Sequence, residues 1–192
     1  MREIEKLALQ CKKTTENLLD FARQSHPREM LPLQMSRILD QAAELVAVYG
    51  RQVRVTLSKE YVATKQTVMG NENQLIQVFL NLFNNSIEAI AERRRLDGDL
   101  MGHIVVRIRE RKNETIVEVS DNGCGIATGD FRRIFSPFYS TKEKRKHAGL
   151  GLSISEAILR DHQSRVEVAS DLRRGSCFRI FSPSRDPSLR SG

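Results

Sequence analysis

The chain has 192 residues, of which 40% are hydrophobic and 29% charged, and its mean hydropathy is -0.41. This composition is typical of a globular protein of one or two domains and excludes a disordered chain. No apolar run reaches the roughly 18 to 20 residues that cross a bilayer, which excludes a transmembrane helix within this chain. Its three cysteines form no CxxC pair, so the sequence favours a reduced, cytoplasmic protein without disulfides or a zinc site.

The net charge of +7 is a second global feature, with clusters of basic residues at 93–95, 142–146 and 173–174. Such a balance often accompanies a polyanionic partner, and nucleic acid is one alternative. The sequence contains no helix-turn-helix, zinc-finger or aromatic stacking motif. We therefore expect the basic residues to form solvated faces and one anion site, and not to bind nucleic acid. Steeply salt-sensitive binding to DNA would contradict this expectation.

Residues 1–25 lack glycine and proline and carry apolar residues at steps of three and four, which predicts one long amphipathic helix. The narrow stripe comprises Ile4, Leu7, Cys11, Thr14, Leu18 and Phe21. Such a seam requires partner helices and so predicts a dimer, although packing on the rest of its own chain is an alternative. Residues 26–34 are predicted to be a short linker, with an edge strand as an alternative because Pro32 cannot sit in a central strand.

The rest of the chain alternates helices and strands. Helices are predicted over 35–49, with Gly50 just past the end, from 71 or 72 to 95, and over 153–160. Strands are predicted at 53–57, 67–69, 103–110, 114–120, 164–169 and 176–180. The last four form two hairpins, which require antiparallel pairing. The sequence therefore predicts an α/β fold of the α+β type, a two-layer sandwich of a mixed sheet with helices on one face.

Three asparagines, Asn81, Asn84 and Asn85, interrupt the apolar residues of the long helix. Asn81 and Asn85 are four residues apart and share a face. Their amide oxygens suit a hard cation such as Mg²⁺. A buried amide network is the alternative.

Asp121 follows a strand and precedes Gly123 and Gly125. An ionised carboxylate only accepts hydrogen bonds, so it suits the exocyclic amine of adenine and opposes the carbonyl of guanine. The glycines would let a ligand approach the backbone closely. A plain Asx turn is the alternative.

Glycines at 149 and 151 open the last predicted helix and follow a lysine-rich loop. Backbone N–H groups at such a helix start attract anions. The basic loop could close over phosphates. A tight turn is the alternative.

These motifs, in this order, resemble the ATP-binding catalytic domain of sensor histidine kinases. These belong to the gyrase, heat-shock-chaperone, histidine-kinase and mismatch-repair ATPase superfamily. The matching stretches are QVFLNLFNNS at 77–86, DNGCGI at 121–126, FSPFYSTK at 135–142, AGLGLSIS at 148–155 and GSCF at 175–178. TENLLDFARQS at 15–25 is similar to the end of the family's second dimerisation helix. The resemblance implies a Bergerat-type ATPase fold in residues 28–182, after a partial dimerisation helix at 1–27 and before a disordered tail at 183–192.

The resemblance also implies roles for individual residues. Asn85 would coordinate the Mg²⁺ that bridges the ATP phosphates, Asn81 would line that site, and Lys142 would neutralise charge on the transferring phosphoryl group. Asp121 would bind the adenine amine, with Ser176 supporting it from behind. The remaining residues implied to contact the nucleotide are Gly123, Gly125, Ile126, Gly149, Leu150, Gly151 and Leu152.

Departures from the family pattern refine the interpretation. Relatives that hydrolyse ATP or phosphorylate serine carry a glutamate base where this chain has Asn81, which favours a histidine kinase. His147 replaces a usual glycine, so we expect a stiffer lid or weaker nucleotide binding, and Ser86 replaces a usual alanine. No histidine lies in the family's His-Glu/Asp context, so we expect a phosphoacceptor outside this chain.

The resulting prediction is the catalytic portion of a histidine kinase. It would bind Mg-ATP and present the γ-phosphoryl group to a histidine, for onward transfer to a response-regulator receiver domain. A homodimer would form through the N-terminal helix and a partner helix outside the chain. This segment would contact neither nucleic acid nor membrane. The alternatives are a serine kinase or ATPase of the superfamily and a non-catalytic nucleotide-binding dimerisation module.

Overall fold

The structure is a computed structural model, and it describes residues 29–62, 67–111, 113–139 and 149–184. The predicted N-terminal helix, Lys142, His147 and residues 185–192 of the predicted tail lie outside these residues, whereas Pro183, the first residue of that tail, ends the last strand. The helices are α1 (Met35–Gln52), α2 (Glu72–Leu96) and α3 (Gly151–Asp161). The strands are β1 (Leu31–Gln34), β2 (Val55–Tyr61), β3 (Thr67–Gly70), β4 (Gly102–Arg111), β5 (Glu114–Asp121), β6 (Arg165–Asp171) and β7 (Gly175–Pro183).

Five strands form the main sheet in the order β2-β4-β5-β7-β6. The β2–β4 pair is parallel, whereas the β4–β5, β5–β7 and β6–β7 pairs are antiparallel. The predicted mixed sheet and its two hairpins are therefore confirmed. β1 and β3 form a separate two-stranded antiparallel sheet in which Pro32 lies opposite Met69, as expected for a proline that cannot donate to a central ladder.

The core lies between one face of the main sheet and the helices. Alternate residues of the central strands point toward the helices, so that Ile104, Val106, Val117 and Val119 are all buried. The second helix crosses this layer with a buried stripe of Val78, Phe79, Leu82, Phe83, Ile87 and Ile90. A single sheet face and three amphipathic helices thus account for the two-layer sandwich.

The opposite face of the sheet carries a row of alternating charges. The strand register places Glu60, Arg107, Glu118, Arg179 and Glu167 side by side across all five strands. Arg107 pairs with Glu60 at 2.6 Å, and Arg179 pairs with Glu118 at 3.2 Å. Such partly exposed pairs stabilise a fold little, but they make this face unsuitable for a covering helix.

The end of α1 differs from the prediction. The helix runs to Gln52 and contains Gly50, which is buried. The Val53 amide still donates to the carbonyls of Tyr49 and Gly50, and Arg54 then adopts a left-handed φ of 51°. The second strand therefore begins at Val55, not at Val53. No helix in the described part of the chain is long and apolar enough to span a membrane.

Candidate functional site

The second helix is the element around which the predicted motifs meet. Asn71 caps its start, because the Asn71 side chain accepts a hydrogen bond from the Gln74 amide at 3.2 Å. Its apolar stripe is buried against the sheet and α1. This packing leaves Asn81 and Asn85 half-buried, one helical turn apart.

Asn81 ties this helix to the first turn of α3. Its Nδ2 donates to the Gly151 carbonyl at 3.1 Å and to Ser155 Oγ at 3.2 Å, and Ser155 Oγ donates to the same carbonyl at 2.9 Å. A carbonyl oxygen only accepts, so these contacts fix which end of the Asn81 amide faces α3. Asn81 of the 77–86 motif and the 148–155 motif are thereby joined in one site.

Asn85 differs from Asn81 in its contacts. Within the described ranges its side chain makes no hydrogen bond, although it is half-buried. Its amide oxygen is available to a ligand. The same ranges contain no cluster of three or more His, Cys, Asp or Glu side chains that could hold a metal ion. A cation beside Asn85 would therefore complete its coordination with oxygens of a bound ligand and water, as Mg²⁺ commonly does with phosphates.

Asp121 ends β5 with both carboxylate oxygens held by donors. Oδ1 accepts from the Gly123 amide at 2.8 Å, which is an Asx turn, and Oδ2 accepts from Ser86 Oγ at 3.2 Å. The predicted alternative of an Asx turn is therefore present in the structure. It coexists with a carboxylate fixed against α2, the helix that also carries Asn81 and Asn85.

A serine network supports the loop after Asp121. Ser176 lies directly opposite Asp121 in the β5–β7 register. Ser170 Oγ accepts from the Ile126 amide at 2.8 Å, donates to the Gly175 carbonyl at 2.8 Å and lies 3.0 Å from Ser176 Oγ. Since the single Ser170 proton goes to Gly175, Ser176 donates to Ser170. Ser176 thus supports the loop through Ser170, and its contact with nucleotide stays a prediction.

Gly125 of the 121–126 motif and Gly151 of the 148–155 motif differ in what requires a glycine. Gly125 has a φ of +75°, and a Cβ there would lie 2.1 Å from the Asp171 carbonyl oxygen in the β6–β7 hairpin. Packing within the protein therefore excludes a side chain at Gly125. A Cβ at Gly151 would meet Asn81 only at 3.6 Å, an ordinary contact. Of these two glycines, only Gly151 is not required by packing within the protein. Only there can an approaching ligand explain the presence of glycine.

The start of α3 is suited to an anion. The described residues provide no side-chain cap at Leu150, and the first turn has no acidic residue. By contrast, α2 has both an Asn71 cap and Glu72 in its first turn. Free first-turn N–H groups and the positive end of the helix dipole attract phosphate. The Phe138 amide donates to the Gly149 carbonyl at 3.0 Å, which joins the FSPFYSTK motif to the residues that precede α3.

Comparison with known proteins identifies the family. A model of the family described as histidine kinase-, DNA gyrase B- and HSP90-like ATPase matches residues 70–186, which is more than half of the chain. The chain belongs to this ATPase family. The predicted resemblance to the catalytic domains of sensor histidine kinases is confirmed.

Two kinds of relatives illustrate the match. Sporulation kinase C of Bacillus subtilis (strain 168) is 31% identical over 156 residues, which cover 81% of this chain and 34% of that kinase. The chain thus spans about a third of this relative's length. Full-length ShkA in complex with AMPPNP has a TM-score of 0.78 at 23% identity, covering 95% of this chain and 37% of that one.

Histidine kinase ThkA in complex with the response regulator protein TrrA has a TM-score of 0.75 at 21% identity. The match covers 98% of this chain and 52% of that one. At these identities the solved structures confirm the ATPase fold.

Four residues of this ATPase domain have roles that the sequence does not reveal. Ser155, Ser170 and Ser86 make the connections described above, and no spacing or composition signal distinguishes them from other serines. His162 is 5% exposed, accepts from the Asn71 amide through Nε2 at 3.0 Å and lies 2.7 Å from the Ile158 carbonyl through Nδ1. It joins the end of α3 to the start of α2.

Proposed function

We propose that this chain is the ATP-binding catalytic portion of a sensor histidine kinase. It binds Mg-ATP and presents the γ-phosphoryl group to a histidine outside this chain, from which the group passes to a response-regulator receiver domain. One observation carries this proposal. Asn81 and Ser86 of α2 donate hydrogen bonds to Gly151 and Asp121, so that a single helix organises both the start of α3 and the carboxylate proposed to bind adenine.

Each end of the nucleotide has a suitable partner in this arrangement. The Asp121 carboxylate accepts from the adenine amine, with Gly123, Gly125 and Ile126 beside it. Gly149 and Leu150, which precede α3, and the first helical residues Gly151 and Leu152 offer N–H groups to the phosphates. Mg²⁺, when bound with ATP, would neutralise phosphate charge, and Asn85 would be its protein ligand. Lys142, which lies outside the described residues, would add positive charge.

Asn81 argues against hydrolysis or serine phosphorylation by this site. An amide cannot accept a proton as a general base, and the Asn81 NH₂ group is already committed to Gly151 and Ser155. An imidazole acceptor requires no such base on α2, because its attacking nitrogen already carries a lone pair in the neutral ring. His162 is an unsuitable acceptor, because it is buried and both ring nitrogens are engaged.

We further propose that residues 1–27 supply one helix of a dimerisation domain and that 28–182 form the catalytic domain. The kinase names of the relatives support this assignment. We place this portion in the cytoplasm, where ATP is available and cysteines stay reduced.

Calorimetric titration with ATP and GTP, each with Mg²⁺, tests the proposal. We expect saturable ATP binding, no GTP binding and loss of ATP binding in Asp121→Asn. Asp99→Asn is the matched control, because Asp99 is an exposed aspartate in the turn after α2. Absence of ATP binding at millimolar nucleotide, or loss in both variants, would contradict the proposal.

A further inference from the structure

Ser86 is a buried polar residue on the core-facing side of α2. It is 1% exposed, and within the described residues its only side-chain hydrogen bond runs from Oγ to Asp121 Oδ2 at 3.2 Å. Serine is a poor helix former, and a buried hydroxyl without a partner costs stability. The serine at position 86 is therefore explained by its hydrogen bond to Asp121, not by a preference of serine for helices.

The contact has a defined direction. An ionised carboxylate has no proton to give, so Ser86 is the donor. The other oxygen, Oδ1, accepts from the Gly123 amide at 2.8 Å. Two donors from different elements, one on the loop after β5 and one on α2, therefore hold the two oxygens. Together they fix the rotation of the carboxylate about its Cβ–Cγ bond.

We propose that Ser86 is a positioning residue for purine recognition, setting the Asp121 carboxylate to accept from the amine at carbon 6 of the base. This inference rests on the proposed function, since it requires the nucleotide to bind at Asp121. If the Ser86 donor is removed, Oδ2 loses this hydrogen bond while Oδ1 keeps the one from the Gly123 amide. The carboxylate can then rotate, and the free-energy gain from the base amine falls.

The test separates orientation from folding by using two nucleotides. ATP and purine riboside triphosphate differ only in the amine at carbon 6, so the ratio of their dissociation constants measures what that amine contributes. We would measure both constants with Mg²⁺ for the wild-type chain and for Ser86→Ala. Ser182→Ala is the matched control, because Ser182 is also a buried serine, 3% exposed, at the far end of β7 opposite Thr115.

Ser86→Ala should raise the dissociation constant for ATP about tenfold, equivalent to about 1.4 kcal/mol. The constant for purine riboside triphosphate should change by less than about twofold, because this ligand has no amine to lose. Ser86→Cys keeps a weak donor and most of the volume. Its dissociation constant for ATP should lie between those of the wild type and of Ser86→Ala. Ser86→Cys replaces Ser86→Ala in the test if the latter does not fold. Ser182→Ala should leave both constants unchanged.

Three outcomes would overturn the inference. Equal weakening of both nucleotides in Ser86→Ala would mean that Ser86 only supports the fold. Unchanged constants would mean that the Ser86 hydrogen bond is not needed to orient the carboxylate. If the wild-type chain binds neither nucleotide, or binds both equally, the adenine site itself is wrong and the proposed function fails with it, whereas the first two outcomes leave that function intact.

Discussion

Gly125→Ala should destabilise this domain strongly, even though the residue lies in a loop. Its φ is +75°, where an L side chain costs about 1 to 2 kcal/mol. The new Cβ would lie 2.1 Å from the Asp171 carbonyl oxygen, whereas real Cβ contacts essentially never fall below 3.0 Å. The β6–β7 hairpin must move by about 1 Å, and such overpacking costs about 1 to 3 kcal/mol. The expected loss is therefore about 2 to 5 kcal/mol.

Thermal and urea unfolding followed by circular dichroism would measure this loss. For a chain of this size, the midpoint temperature should fall by about 5 to 15 °C. Gly98→Ala is the matched control, because a Cβ at Gly98 would have no atom within 4 Å and its φ is not positive. It should change stability by about 0.5 kcal/mol at most. If Gly125→Ala is no less stable than Gly98→Ala, then hairpin packing is not the reason for glycine at position 125.

Two further predictions separate binding from stability and address pH. Gly151→Ala should leave the stability of the fold unchanged or slightly increased, because its Cβ would contact Asn81 only at 3.6 Å. Titration should nevertheless show weaker ATP binding if phosphate approaches this backbone. An unaltered affinity for ATP would contradict that approach. Burial lowers the pKa of His162, whose Nε2 accepts from the Asn71 amide, so the unfolded chain takes up the proton first. The stability contributed by the neutral ring is then present above about pH 6.5 and is lost as the pH falls below that value, by up to about 1.4 kcal/mol per pH unit. Urea unfolding between pH 5 and 8 should show this slope for the wild-type chain and a smaller one for His162→Gln, and equal slopes would contradict the assignment.

The sequence by itself determined the class of fold and the family to which the chain belongs. The hairpins predicted antiparallel pairs, and the long helix predicted to start at residue 71 or 72 is α2, which begins at Glu72. Both are local signals, set by turn chemistry and by the first turn of a helix. The ordered motifs at 77–86, 121–126 and 148–155 likewise predicted the ATPase family that the comparisons confirm.

Only the tertiary structure decided how the pieces are connected. Gly50 predicts a helix end, but it is buried within α1, because packing overrides the local preference of glycine. The hydrogen bonds from Asn81 to Gly151 and from Ser86 to Asp121 join residues 70 and 35 positions apart. No local pattern specifies such partners, since a serine or asparagine in a helix has the same propensity whichever element lies beside it. The sequence predicts the candidate site residues, whereas only the fold decides which of them support one another.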